Sequence, residues 1–165
     1  MKKIYQIAGH KLCFTTPLCE AMELLVGFRP FISDAKEEYD FVFEEGNKED
    51  IPTFDKVEYT LEYEDVKGTF GISKQTYLLC LCPEGKEELW LWTDIQSNTV
   101  FLYGNYELYL LRFALWVGFG LMTCRKDTLA TLGNEFYAHT LEEAHGRAIG
   151  KLRHCNIQPL GICAN

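Results

Sequence analysis

Between residues 57 and 64 apolar and polar side chains alternate without a break: Val57, Tyr59, Leu61 and Tyr63 against Glu58, Thr60, Glu62 and Glu64. A period of two gives a β-strand one core face and one acidic face toward water. Shorter runs of strand-forming residues follow at Thr69–Ser73, Thr76–Cys82, Glu88–Thr93 and Thr99–Tyr103. Pro83-Glu84-Gly85-Lys86 and Gln96-Ser97-Asn98 supply turn residues between them. Strands joined by such short links pair antiparallel, so Val57–Tyr103 reads as a β-meander.

The front of the chain has the same grain. Lys3–Ile7 and Lys11–Thr15 flank Ala8-Gly9-His10, a hairpin pattern with a short glycine loop. Pro17 suits the first turn of a short helix over Leu18–Val26, which Gly27 would stop. Tyr39–Glu44 alternates again as a half-buried strand.

The period then changes. Over Tyr106–Cys124 the leucines and aromatics recur at three- and four-residue spacing (Leu108, Leu111, Leu115, Phe119), with apolar residues on the other faces too. A helix apolar almost all round is buried. Asn105 is placed to cap it, with Glu107 in its first turn. Gly118 and Gly120 leave room for a strand to approach. A final helix is expected over Leu141–His154, because Thr140 and Glu143 have capping-box spacing.

These elements imply an α+β fold: an antiparallel sheet of about six to eight strands packed against one long apolar helix, with a helical C-terminal tail. Trp90, Trp92, Tyr103, Phe113, Trp116 and Phe119 are expected to form much of the core. The organisation expected is a β-rich domain over 1–130 ending in the buried helix, then a divergent helical tail over 131–165.

Composition narrows the setting. The 165 residues fit one domain, and 47% hydrophobic with 14% aromatic residues is ample apolar surface to offset ordering entropy. Residues 1–110 hold 20 acidic and 10 basic side chains, and 111–165 hold 4 and 6, giving the net charge of −8. A phosphate-backbone binder needs a clustered basic surface, so nucleic acid is excluded as a partner. The start of the chain has no unbroken apolar region of the kind a signal peptide requires. Seven cysteines without framework spacing point to reduced thiols in the cytoplasm. Leu108–Thr123 contains Arg112 and falls short of the ~20 apolar residues a bilayer demands, so no membrane role is expected.

Candidate chemistry is sparse. Gly146-Arg147-Ala148-Ile149-Gly150-Lys151-Leu152 superficially suggests a phosphate-binding loop. That loop needs four residues between its glycines and Ser or Thr after the lysine, and this segment sits in a helical pattern. Cys124, His139, His145, His154, Cys155 and Cys163 have ligand chemistry, but no CxxC or HxxxH spacing joins them. Cys80 and Cys82 share one strand face and read as core packing. Trp90 and Trp92 also share a face. They read either as sheet–helix core or as an aromatic surface for a ligand or partner. No GxSxG element or distinctive acidic pair marks a nucleophile or an acid–base couple, so no catalytic residue is assigned.

The opening Tyr5-Gln6-Ile7-Ala8-Gly9-His10-Lys11-Leu12 and the segment from Arg112 to Leu121 (RFALWVGFGL) resemble the N-terminal region of the HPr kinase-like, phosphoenolpyruvate carboxykinase-like P-loop proteins of Bacteroides-type bacteria. The resemblance covers about residues 4–130, the middle matching only in strand pattern and polarity. In that family the helix leads through Thr-Leu-Ala into a His-Ser-Ser element and an ATP loop. Here Thr128-Leu129-Ala130 is followed by Thr131-Leu132-Gly133-Asn134, and no ATP loop comes after. The resemblance therefore implies the front of a kinase-like protein without its kinase core, and carries over no nucleotide-binding residue or cofactor.

The function expected is a non-catalytic protein- or peptide-binding or regulatory domain. The alternative is a degenerate ATP-dependent serine kinase-like phosphotransferase, read as a truncated gene product. If a partner domain is missing, helix surface left exposed would favour a homodimer.

Overall fold

The computed structural model describes residues 1–34, 38–124, 129–130 and 137–138. Eight strands make one sheet: β1 (Lys2–Ile7), β2 (His10–Thr15), β3 (Phe41–Glu45), β4 (Lys56–Tyr63), β5 (Val66–Ser73), β6 (Thr76–Pro83), β7 (Leu89–Asp94) and β8 (Thr99–Gly104). Their order across the sheet is β1-β2-β3-β8-β7-β6-β5-β4. The meander β4 to β8 is antiparallel throughout, and β1–β2 is the expected hairpin, turning at Ala8-Gly9.

The sheet is nevertheless mixed, not antiparallel. Strand β3 runs parallel to both of its neighbours, β2 and β8. Parallel pairing needs a crossover long enough to bring the chain back to the same end of the sheet. Residues 16–40 provide it, and they carry the helix α1 (Leu18–Glu23) and a 3-10 segment at Val26–Phe31. The helical part is therefore not one long helix alone. Gly27, expected to stop α1, lies inside that 3-10 segment, and α1 ends three residues earlier than its pattern suggested.

The second helix, α2, spans Leu108–Cys124, starting two residues later than expected. It lies over β6 and β7. Leu110, Leu111, Ala114, Leu115 and Phe119 of α2 are buried in one cluster with Phe14, Phe43, Leu79, Leu91 and Leu102 of the sheet. Leu18, Cys19 and Met22 of α1 join the same cluster, so both helices cover one face. No described helix is long and apolar enough to cross a membrane. Leu129–Ala130 pairs antiparallel with Tyr137–Ala138. The helix expected over Leu141–His154 lies outside the described residues.

The other face is covered differently. From the end of β3 the chain must reach β4, five places along the sheet, and residues 46–55 make that passage. Along it, a Cβ added to Gly46 would stand 2.5 Å from the Trp92 ring, and the Phe54 ring lies 6.4 Å from that of Trp90. Trp92 is buried and stacks on Phe101 at 5.7 Å. Trp90, Trp92 and Tyr103 thus lie on the face opposite the helices, contrary to the sheet–helix core expected of them. Their opposite-facing neighbours Leu89 and Leu91 occupy that core instead, as Phe113 and Phe119 do from the helix side.

Candidate functional site

Among the described residues a concavity opens where the β4–β5 and β6–β7 turns meet the first turns of α2. Backbone hydrogen bonds lock the three pieces together. The Glu84 N–H donates to the Asp65 carbonyl at 2.7 Å, joining the two turns. The Asn105 N–H donates to the Glu88 carbonyl at 2.9 Å, and its side-chain amide to the Glu87 carbonyl at 3.0 Å. The Asn105 side-chain oxygen accepts the Glu107 N–H at 3.0 Å, so Asn105 clips the β6–β7 turn to the segment entering α2. Glu107, whose carbonyl accepts the Leu111 N–H, holds the cap position expected of Asn105. Gly104 permits this closeness: its φ is +122°, and a Cβ there would stand 2.1 Å from the Glu88 carbonyl oxygen.

The groove so formed has a volume of about 850 Å³, within the range of ligand clefts. Leu25, Val66, Leu81, Phe113 and Trp116 give it an apolar lining. Leu108 and Tyr109 stand at its mouth, 39% and 44% exposed. Leu24 and Val26, on either side of Leu25, are more exposed still. A second cleft of about 680 Å³ continues from it, sharing Glu64, Asp65 and Lys86. Five carboxylates (Glu62, Glu64, Asp65, Glu84, Glu87) line that cleft against two ammonium groups, Lys67 and Lys86.

The cations of the groove are engaged. Lys86 Nζ donates to Glu107 at 3.2 Å and lies 5.9 Å from the Tyr109 ring centre, and the bond to Glu107 raises its pKa. The Arg112 guanidinium sits 5.2 Å over the Trp116 ring, a cation–π placement. Among the described residues none of the five carboxylates takes part in an ion pair. The Trp116 indole N–H is buried with no hydrogen-bond partner among them.

The residues singled out from sequence lie elsewhere. Trp90 is half-buried and Trp92 buried on the far face, where residues 46–55 pass over them. Cys80 and Cys82 share that face with Trp90, as their strand parity implied. Burial, then the Glu88 carboxylate, pushes the Cys80 thiol up to about 12, which keeps it from being a nucleophile near neutral pH. His10 packs between the rings of Phe41 and Phe119, at 5.9 and 6.1 Å. No group of three or more His, Cys, Asp or Glu among the described residues is placed to hold a metal. The side chains of Cys124, His139, His145, His154, Cys155 and Cys163, and the Gly146–Lys151 segment, lie outside those residues.

The groove itself was missed from sequence, because α2 read as apolar on every side. One signal was present. Tyr109, Arg112 and Trp116 recur at helical spacing, a stripe of amphipathic side chains on an otherwise aliphatic helix. No protein-family model, curated protein or solved structure matches this chain.

Proposed function

We propose that this chain is a non-catalytic protein- or peptide-binding module, related to the front region of HPr kinase-like proteins, and that the groove at the start of α2 is its binding surface. The observation that carries this reading is an apolar cleft of about 850 Å³ with exposed Leu108 and Tyr109 at its mouth. Exposed apolar side chains beside a concavity are what a docking partner buries. Rigid turns clipped to the helix support the reading further, since a preformed groove loses less entropy on binding.

The test has two arms. Random peptides displayed on phage are selected against the immobilised chain, and the enriched sequences are then measured on Leu108→Glu and Tyr109→Glu variants. Both residues are exposed, so charge enters without disturbing the core. Selected peptides should lose at least about tenfold in affinity on both variants, as central apolar contacts do when charged. Undiminished binding would place the partner surface elsewhere and overturn the reading. In the second arm, millimolar ATP with magnesium should leave the melting temperature unchanged. A rise of several degrees would favour the degenerate phosphotransferase, because a ligand of the native state stabilises it by mass action.

A further inference from the structure

We infer that the partner segment this groove takes is basic and amphipathic: an apolar stripe for the groove, with lysines or arginines for the adjoining cleft. The inference rests on the binding-module reading and adds the partner's chemistry. Its basis is the asymmetry of charge where the two clefts join.

The apolar groove and the acidic cleft are continuous through Glu64, Asp65 and Lys86. A segment lying in the first therefore runs its flank along the second. There, five carboxylates face two ammonium groups. One of those, Lys86, is held by Glu107 on the helix side. On the groove's own wall Arg112 is held over Trp116. Lys86 and Arg112 already have partners, which leaves Lys67 facing five carboxylates, none of them in an ion pair among the described residues. An incoming ammonium or guanidinium would meet an excess of carboxylates that Lys67 and Lys86 offset only in part, whereas an incoming carboxylate would be repelled. The turn geometry fixes the backbone that carries two of these carboxylates: Glu64 sits at φ +52°, and the Asp65 carbonyl holds the Glu84 N–H.

The experiment uses fluorescein-labelled helical peptides of leucine–lysine heptads, with glutamine and glutamate replacing lysine in two analogues. A fourth peptide has serine in place of leucine. Anisotropy titrations are run on the full chain, on Leu108→Glu, on the double variant Glu64→Lys with Asp65→Lys, and on Glu49→Lys with Asp50→Lys. The last pair makes the same charge change in the 46–55 passage between β3 and β4, outside the lining of either cleft.

The lysine peptide should bind best, the glutamate analogue at least about tenfold more weakly, and the advantage should shrink as salt rises from about 0.05 to about 0.3 M. The Glu64/Asp65 variant should lose the preference for lysine, and the Glu49/Asp50 variant should keep it. The serine peptide and the Leu108→Glu chain should both show weakened binding. If the three leucine peptides bind alike and Leu108→Glu weakens them all, the groove binds peptides without charge selection; the inference then falls and the binding reading stands. Equal losses in the two charge variants would mean general attraction to an acidic chain, and would overturn the inference. If Leu108→Glu has no effect on any peptide, the binding reading falls and the inference with it.

Discussion

The Tyr106 hydroxyl donates to the Glu45 carboxylate at 2.6 Å, joining the approach to α2 to the end of β3. The same oxygen lies 3.2 Å from the Leu102 carbonyl on β8. One side chain thus ties the helix start to the two strands whose parallel pairing the sheet requires.

Burial, then the bond to Glu45, raises the Tyr106 pKa well above its ordinary 10.0. A raised folded-state value stabilises the fold fully below pH 10, and that stability fades as pH climbs from 10 toward the folded value. Tyr106→Phe should cost about 1 kcal/mol at neutral pH, the net worth of a hydrogen bond. The gap between wild type and variant should narrow above pH 10, measured by urea unfolding across pH. A constant gap would show that the phenol proton plays no part.

Gly46 tests how the far face is covered. A Cβ there would stand 2.5 Å from one Trp92 ring carbon and 3.2 Å from the Phe101 Cβ. The ring has little room to yield, since it is buried and stacked on Phe101. Gly46→Ala should therefore destabilise by about 1–3 kcal/mol, as overpacking does, and alter tryptophan fluorescence. No change in either would mean that residues 46–55 do not press on Trp92.

Gly118 sets two rules against each other. In a helix interior, Gly→Ala ordinarily gains about 1 kcal/mol. Here the added carbon would meet the Phe43 ring at 2.8 Å and a Leu91 methyl at 3.3 Å. Phe43 is fully buried, so packing should win and the sign should reverse, to a net loss of about 1–2 kcal/mol. A stabilised Gly118→Ala variant would show that α2 sits farther from the sheet.

The thiols of β6 should differ in reactivity. Cys80 is buried with its pKa pushed up to about 12, whereas Cys82 is half-exposed. Native protein treated with iodoacetamide at pH 8 should be alkylated at Cys82 and spared at Cys80, read by peptide mass spectrometry, because the thiolate is the reacting form. Equal labelling would show that β6 opens readily.

Much of this fold is legible along the chain. The β4–β8 meander follows from short turns, which leave consecutive strands no option but to pair as neighbours. The shared face of Trp90 and Trp92 follows from strand parity alone. Which face that is does not follow, because β7 is apolar on both sides: Leu89 and Leu91 are as apolar as the tryptophans. The place of β3 is likewise hidden. Alternation in Tyr39–Glu44 marks a strand but says nothing of its partners.

Sequence alone determined the strands, their parity, the long buried helix and the acidic bias of the front part. Each is a local property, set by period, turn chemistry or composition within a few residues. The tertiary structure decided the parallel insertion of β3 between β2 and β8, and which face the helices cover. It also brought Leu25, Val66, Lys86, Tyr109 and Trp116 around one groove. Those residues come from four separate stretches of chain, and only long-range packing brings such stretches together.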